Sequence, residues 1–416
     1  FSLVFEIISS KIVILYFMRK YIFICISLCP IFMYSQSLHS EKWNMSTCTV
    51  WKQLVMNFQT NHFYIGVHDD GRTRLDDVGN YFSRTKFYSS NASRNSKEYE
   101  SGFKYITGSY PSMTETDFQS YAINRTSDDE KKEQKKCLVN YLIQYHNLIG
   151  GLITLSCHMA NPWWYEEKNN DYAADFRYIS SQHPNVVAEI LDGKIKLNSE
   201  LTVKEKFDEQ LEEFIQMLKQ LKDLDGNSIP VVVRLFHEAS GSWFWWGDQH
   251  CSNQEYKELF RYTVGRITSE CNNVMIAYTP DSNWNSMDVK DKFMNRYPGN
   301  GYVDIVGMDN YGINESNISE TVHQLRLLSS FAQQNRKVAA LTETGNLALK
   351  IPNWFTICLE PCLTASGVRL AYVQIYGPWS SVDGFFFPYK KNSVEAKDFR
   401  KFYKNKSIIK IHETKF

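Results

Sequence analysis

Eight short apolar runs, separated mostly by helical or loop stretches, and two glutamates that each end such a run predict a single α/β domain of the (β/α)8, or TIM-barrel, class. The runs are Phe63–Val67, Phe103–Thr107, Leu152–Ser156, Val231–Phe236, Val274–Tyr278, Val303–Gly307, Val338–Leu341 and Leu370–Tyr376. Their hydrophobicity is continuous rather than alternating, as parallel strands buried on both faces require. The clearest helix is Thr202–Leu224, where Phe207, Leu211, Phe214, Ile215, Leu218, Leu221 and Leu224 recur at helical spacing. Asp128–Leu148, Asn253–Glu270, Ile318–Asn335 and Ser393–Lys404 read as helices too. A doubly wound open sheet is the alternative, but its Gly-rich phosphate loop is missing, and no Walker or dinucleotide motif occurs. Polar Arg72–Ser101 reads as a long loop after the first strand. Asn161–Asn198, with Trp163, Trp164 and Tyr165, reads as a second irregular stretch. On a barrel such loops build the cleft.

The chain has 416 residues, enough for one large barrel. Its 46 basic and 46 acidic residues balance, which argues against a nucleic-acid partner and is silent about neutral polysaccharides. Met18-Arg19-Lys20 followed by an apolar stretch and Ser35 reads as a signal peptide over 18–35, with a membrane anchor as the competing reading. Residues 1–17 are then upstream sequence, 36–60 a lead-in and 61–416 the catalytic domain. No later segment is apolar enough to span a bilayer. The expected product is a secreted, periplasmic or cell-surface monomer. Of the cysteines outside the signal, Cys358 and Cys362 are spaced for a local disulfide or for two helix neighbours, and Cys157 reads as a small buried residue. No Cys/His spacing resembles a zinc site.

The chemistry is concentrated in VVVRLFHEASGSWFWWG, Val231 to Gly247. A buried strand runs into His237-Glu238, and four aromatic residues, Trp243, Phe244, Trp245 and Trp246, follow a glycine turn. A carboxylic acid at a strand end can protonate a glycosidic oxygen, and flat aromatic faces can stack on sugar rings. VAALTETG, Val338 to Gly345, supplies a second acid, Glu343, in a matching context. Barrel active sites lie at the carboxyl ends of the strands, so Glu238 and Glu343 can face one cleft.

These segments resemble the signatures of glycoside hydrolase family 26, the β-mannanases and their relatives. HEASGSWFWWG is the most specific match. ALTETG, TLSCHMANPWW (Thr154–Trp164), RYPGNGYVDIVGMDNYG (Arg296–Gly312) and PNWFT (Pro352–Thr356) extend it over roughly residues 60–415. The resemblance implies a retaining, endo-acting glycosidase without metal or cofactor, with Glu238 as acid/base and Glu343 as nucleophile. It implies that His237 contacts the sugar next to the cleavage point, or the nucleophile, unless it is a core histidine. Trp243 would form a stacking wall, His158 a subsite contact, and Tyr311 would orient the nucleophile. Asp309 would bind sugar hydroxyls or buttress its loop. Trp284 is a further platform candidate. Phe244, Trp245 and Trp246 fit core packing better, and Arg234 fits a charge partner inside the barrel.

Two segments depart from the family pattern. GVHDD (Gly66–Asp70) stands where many members have Gly-His-Gln, which leaves the substrate-side role of His68 open. YVQIYGPW (Tyr372–Trp379) stands where many have a tryptophan followed by Arg-Asn; Tyr376 lies near the expected tryptophan and no arginine follows. The expected activity is cleavage of internal β-1,4 bonds in mannan, glucomannan or galactomannan. The departures keep β-1,3-xylan and mixed-linkage β-glucan open as substrates. A non-catalytic glycan-binding barrel is the reading from a different class.

Overall fold

The computed structural model describes residues 37–70, 101–118, 128–164, 183–282, 289–377 and 385–411, with no side chains for 128–134 and 289–292. Eight parallel strands close in sequence order into one barrel. They are β1 (Tyr64–His68), β2 (Met113–Asp117), β3 (Leu152–Cys157), β4 (Val231–Leu235), β5 (Val274–Tyr278), β6 (Ile305–Asn310), β7 (Val338–Thr344) and β8 (Tyr372–Ile375), each buried along its length. Strand β1 pairs with β8 to complete the ring, which excludes the open sheet. The helices are α1 (Met45–Thr60), α2 (Gly102–Thr107), α3 (Asp128–Ile149), α4 (Val186–Asp192), α5 (Val203–Gln220), α6 (Asn253–Glu270), α7 (Val289–Arg296), α8 (Ile318–Gln334), α9 (Glu360–Thr364) and α10 (Val394–Phe402).

Local chemistry explains the helix starts. Thr202 with Glu205 and Ser252 with Glu255 form reciprocal capping boxes that open α5 and α6. Helix α5 then buries Phe207, Leu211, Phe214, Ile215 and Leu218 on one face, as its spacing predicts. Each such side chain contributes about 1.5–3 kcal/mol when fully buried.

One strand assignment fails. Phe103–Thr107 is helix α2, not the second strand. Ser101 accepts from the Lys104 amide and Gly108 ends the helix at φ 85°, so cap and stop were both in the sequence. Phe103 and Ile106, three residues apart, are buried, and Phe103 packs edge-on to Phe399 of α10 at 5.3 Å. The second strand is the polar segment Met113–Asp117. Its alternation separates two environments: Thr114 bonds Tyr141 of α3 outside the barrel, at 2.7 Å, and Glu115 bonds Arg234 inside it. Helix α4, opened by Asn185, likewise corrects the irregular reading of 161–198, although 165–182 lie outside the described residues. Residues 1–36 and the 72–100 part of the expected first loop also lie outside them.

The lead-in closes the amino end of the barrel. His39 bonds buried Asp304 at 2.8 Å, and the Trp43 indole donates to the Val274 carbonyl at 2.8 Å. Cys358 and Cys362 are free thiols in consecutive helical turns, and the buried Cys157 is a free thiol as well. No helix among the described residues is long and apolar enough to cross a membrane.

Strands β1 and β2 pack closely at Gly66, where a Cβ would strike the Met113 carbonyl oxygen and backbone. Because backbone cannot swing aside, Gly66→Ala is expected to cost about 2–3 kcal/mol, read from the midpoint of denaturant unfolding. A loss below about 0.5 kcal/mol would contradict this strand contact.

Candidate active site

The site is assembled where the strands end. After β4 the chain turns sharply, and Phe236 (φ 46°) and Glu238 (φ 54°) both take left-handed conformations that disfavour non-glycine residues. Neighbouring donors fix this turn. Tyr256 donates its hydroxyl to the Phe236 carbonyl at 3.0 Å, Trp246 donates its indole N–H to the His237 carbonyl at 2.9 Å, and the Glu238 amide donates to the Thr279 carbonyl at 2.8 Å. Phe244, Trp245 and Trp246 are therefore core, as expected: all are buried, and Phe244 stacks on Trp246 at 4.6 Å. Trp243 differs. It is half-buried, and its indole N–H donates to Glu238 Oε2 at 2.6 Å. Its ring lies where a Cβ on Gly241 would be, so that glycine is needed for the approach.

Glu343 comes from β7, which carries one extra residue relative to β6: Met308 pairs with Leu341, but Asp309 pairs with Glu343. This bulge re-aims the strand end. Thr342 then donates to Asp309 Oδ1 at 2.6 Å. Two donors hold the Glu343 carboxylate. Arg234 Nη1 donates to Oε1 at 2.6 Å and the Tyr311 hydroxyl to Oε2 at 2.5 Å. The same Nη1 also bonds Glu115, and Nη2 bonds Asp309 at 2.6 Å. Arg234, Glu115 and Asp309 are fully buried. Arg234 is thus the charge partner expected inside the barrel.

One oxygen each of Glu238, Asp309 and Glu343 lies within 4.8 Å of the others. Retaining glycosidases hold their two carboxyl groups about 5–5.5 Å apart. The two glutamates are pushed to opposite protonation states. Desolvation raises the Glu238 pKa well above the carboxylate range, and the charges of Glu343 and Asp281 add to this against the Trp243 hydrogen bond. Burial also works to raise Glu343, but the Arg234 charge, His68 and the Tyr311 hydrogen bond overcome it and lower its pKa. The result is one proton donor beside one carboxylate. Glu238, Asp309 and Glu343 are the trio among the described residues spaced to hold a metal ion. Two of the three already share the Arg234 guanidinium, so a cation is in place and a metal would have to compete with it.

The other expected site residues surround this pair. His158 bonds Asp117, and its ring meets His237 edge-on at 4.4 Å. His237 is buried, and its Nδ1 has no hydrogen-bond partner among the described residues, unlike a fully satisfied core histidine. Burial, then the charges of His158, Arg234 and His68, hold its pKa well below the usual value, so the ring is neutral. His68 is turned into the barrel, 3.9 Å from Asp69 and 4.0 Å from Glu115. Burial opposes its charging, but Asp69, Glu115 and Glu343 together raise its pKa. Asp309 uses both carboxylate oxygens on Arg234 and Thr342, which fits the buttress rather than the sugar contact. Tyr376 is half-buried, with its ring 5.0 Å from His68 and 5.6 Å from Tyr311, so it joins the cluster. Trp284 lies outside the described residues. Sequence reasoning missed Glu115 and Asp117. Their two-residue spacing in Met113–Asp117 was a strand signal, masked by the segment's polarity.

Tyr311→Phe removes a hydrogen bond to ionised Glu343, so the Glu343 pKa should rise; Trp243→Phe should likewise raise that of Glu238. Carbon-13 NMR titration of labelled glutamate side chains measures both. A fall in either would refute the hydrogen bond concerned.

The model of glycosyl hydrolase family 26 matches residues 82–353, more than half of the chain. A mannan endo-1,4-beta-mannosidase of Bifidobacterium adolescentis is 33% identical over 204 residues, covering 47% of this chain and 18% of that protein. The chain spans half or less of the length of this and the other leading curated relatives. Among solved structures, a beta-mannanase of the same family from Bacteroides ovatus is similar at TM-score 0.68 and 28% identity, over 86% of this chain and 94% of that one. The catalytic domain of an endo-beta-1,4-mannanase from Bacillus sp. JAMB-750 gives TM-score 0.72 and 25% identity, over 91% and 95%. Family match, barrel and paired glutamates at strand ends agree, and the chain belongs to glycosyl hydrolase family 26.

Proposed function

We propose that this chain hydrolyses internal β-1,4-mannosidic bonds of mannan, glucomannan or galactomannan by double displacement. The observation that carries the proposal is the close pair of carboxyls, Glu238 held protonated and Glu343 held ionised. The names of the similar proteins, mannan endo-1,4-beta-mannosidases, support the choice of sugar.

In the first step Glu343 attacks the anomeric carbon and Glu238 gives its proton to the departing oxygen, leaving a glycosyl-enzyme. Esterification removes the charge of Glu343. That charge is one cause of the raised Glu238 pKa, so the pKa of Glu238 falls once the ester forms. This is the direction required for its second task, deprotonating the incoming water. In the second step the water oxygen bonds the anomeric carbon, the bond to Glu343 breaks, and Glu238 takes the water proton, which restores both glutamates. Trp243 is both a stacking surface and the donor that orients Glu238. The polysaccharide partner, action as a monomer and export through residues 18–35 belong to the same proposal. Size-exclusion chromatography and N-terminal sequencing of the exported chain test the last two.

A second reading keeps the mechanism and changes the sugar to β-1,3-xylan or mixed-linkage β-glucan. It rests on the last-strand segment, where Tyr376 stands near the tryptophan of the family pattern and no arginine follows.

Product release from the three glycans in parallel tests both. Manno-oligosaccharides from the wild type, with a loss of at least about a thousandfold in Glu343→Ala, are expected. Retention of activity within about tenfold would sink the nucleophile assignment. Binding without turnover on every glycan would favour the non-catalytic barrel. Glu238→Ala should keep far more activity on aryl glycosides with good leaving groups than on polysaccharide, because those need no proton; equal losses would argue against the acid role. The kcat/KM profile should be bell-shaped. Activity is lost at low pH as Glu343 protonates, and at high pH as Glu238 ionises above the usual carboxylate range.

A further inference from the structure

Arg234 carries one positive charge and bonds three buried carboxylates, Glu115, Asp309 and Glu343. Their placement is unequal. Nη2 goes to Asp309, whereas a single nitrogen, Nη1, bridges Glu115 and Glu343. Glu115 therefore shares the very donor that holds the nucleophile. It comes from the middle of β2, two strands round the ring from β4, with no exposed surface. A buried carboxylate so far from bulk water is costly unless it is paired, and Arg234 donates to it.

We infer that Glu115 is a positioning residue for the nucleophile: it anchors the Arg234 guanidinium and limits how much of that positive charge reaches Glu343. The inference rests on the nucleophile assignment proposed above. A guanidinium committed to Glu343 alone would hold the carboxylate tightly and weaken it as a nucleophile. Shared with Glu115, it orients Oε1 while leaving the carboxylate more basic. The sharing matters again after the attack. A Glu343 oxygen then bonds the anomeric carbon, the C–O bond to the leaving group breaks, and the leaving oxygen takes the Glu238 proton. Glu343 is now an uncharged ester. Glu115 and Asp309 still anchor Arg234, so the guanidinium stays in place to receive the carboxylate when water releases it.

The other charged or titratable groups that face Glu343 are Asp309 from β6, Tyr311 after β6, Glu238 after β4, His68 from β1 and Tyr376 after β8. Of these, His68 lies 4.0 Å from Glu115, which helps raise its pKa; Glu115→Gln lowers the His68 pKa and so works against the shift expected at Glu343, and His68 is therefore followed in the same titration.

The test is the titration of Glu343 by carbon-13 NMR in the full chain, with the resonance assigned from Glu343→Gln, in wild type and in Glu115→Gln. The glutamine keeps shape and a carbonyl acceptor for Nη1 but removes the charge. The Glu343 midpoint should move to lower pH by about half a unit or more, and the acid limb of kcat/KM should move with it. An unmoved or raised midpoint would overturn the inference, since a residue that only fills space leaves the titration where it was. Glu115→Asp keeps the charge and withdraws it by one methylene. It should lower kcat by about tenfold or more with little change in KM, and leave the midpoint nearer to wild type than Glu115→Gln does. Unchanged kcat in Glu115→Asp counts against the inference, even if Glu115→Gln fails to fold. A wild type that cleaves no glycan refutes the proposed activity, and the NMR titration still judges Glu115.

Discussion

The site depends on one buried guanidinium. Arg234 lies inside the barrel with no exposed surface, and desolvating a cation there costs several kcal/mol even after the protein relaxes. The cost is offset because carboxylates from β2, β6 and β7 converge on it. That convergence ties together strands far apart in sequence, and removal of Arg234 would leave three buried carboxylates without their shared cation. The arrangement sets the ionisation of Glu343 and the place of Asp309, and through them the electrostatic field at Glu238.

A second constraint shapes the surroundings of Glu238. Glu238 sits in a left-handed backbone conformation, a strain of about 1–3 kcal/mol of the kind that surrounding structure must over-determine. The aromatic cluster after β4 supplies that support: Trp246 and Tyr256 donate to the carbonyls of the turn, and Trp245 reaches across to the Met159 carbonyl at 2.7 Å. Aromatic residues that look like a sugar platform in sequence thus divide. Trp243 faces the acid, and the three that follow hold the turn that aims it. Glu343 and Glu238 are positioned by different means, an ion cluster and a strained turn. One favours charge and the other its absence.

Much of the barrel was legible because its strands are local, continuous apolar runs and its helices carry their own caps and periodicity. The second strand was not. Its residues are Thr, Glu and Asp, and the barrel accepts them there because Arg234 and His158 supply partners from β4 and from just after β3. Polarity in an isolated segment argues against burial, and only the partners from β4 and from just after β3 reverse the argument. The same reason hid Glu115 and Asp117 from the site, while Glu238, Glu343, His237 and Tyr311 stood out beside strand ends and glycines.

By itself, then, the sequence determined the fold class, the two glutamates and the aromatic surroundings of one of them, because hydrophobic period, capping and strand-end motifs are short-range properties. The tertiary structure decided which carboxyl is protonated and which ionised. It also decided that His68 turns into the carboxylate cluster, and that Arg234 links three strands. These depend on burial and on charges brought within a few ångströms by chain closure. Electrostatic energy falls with distance in space, not in sequence.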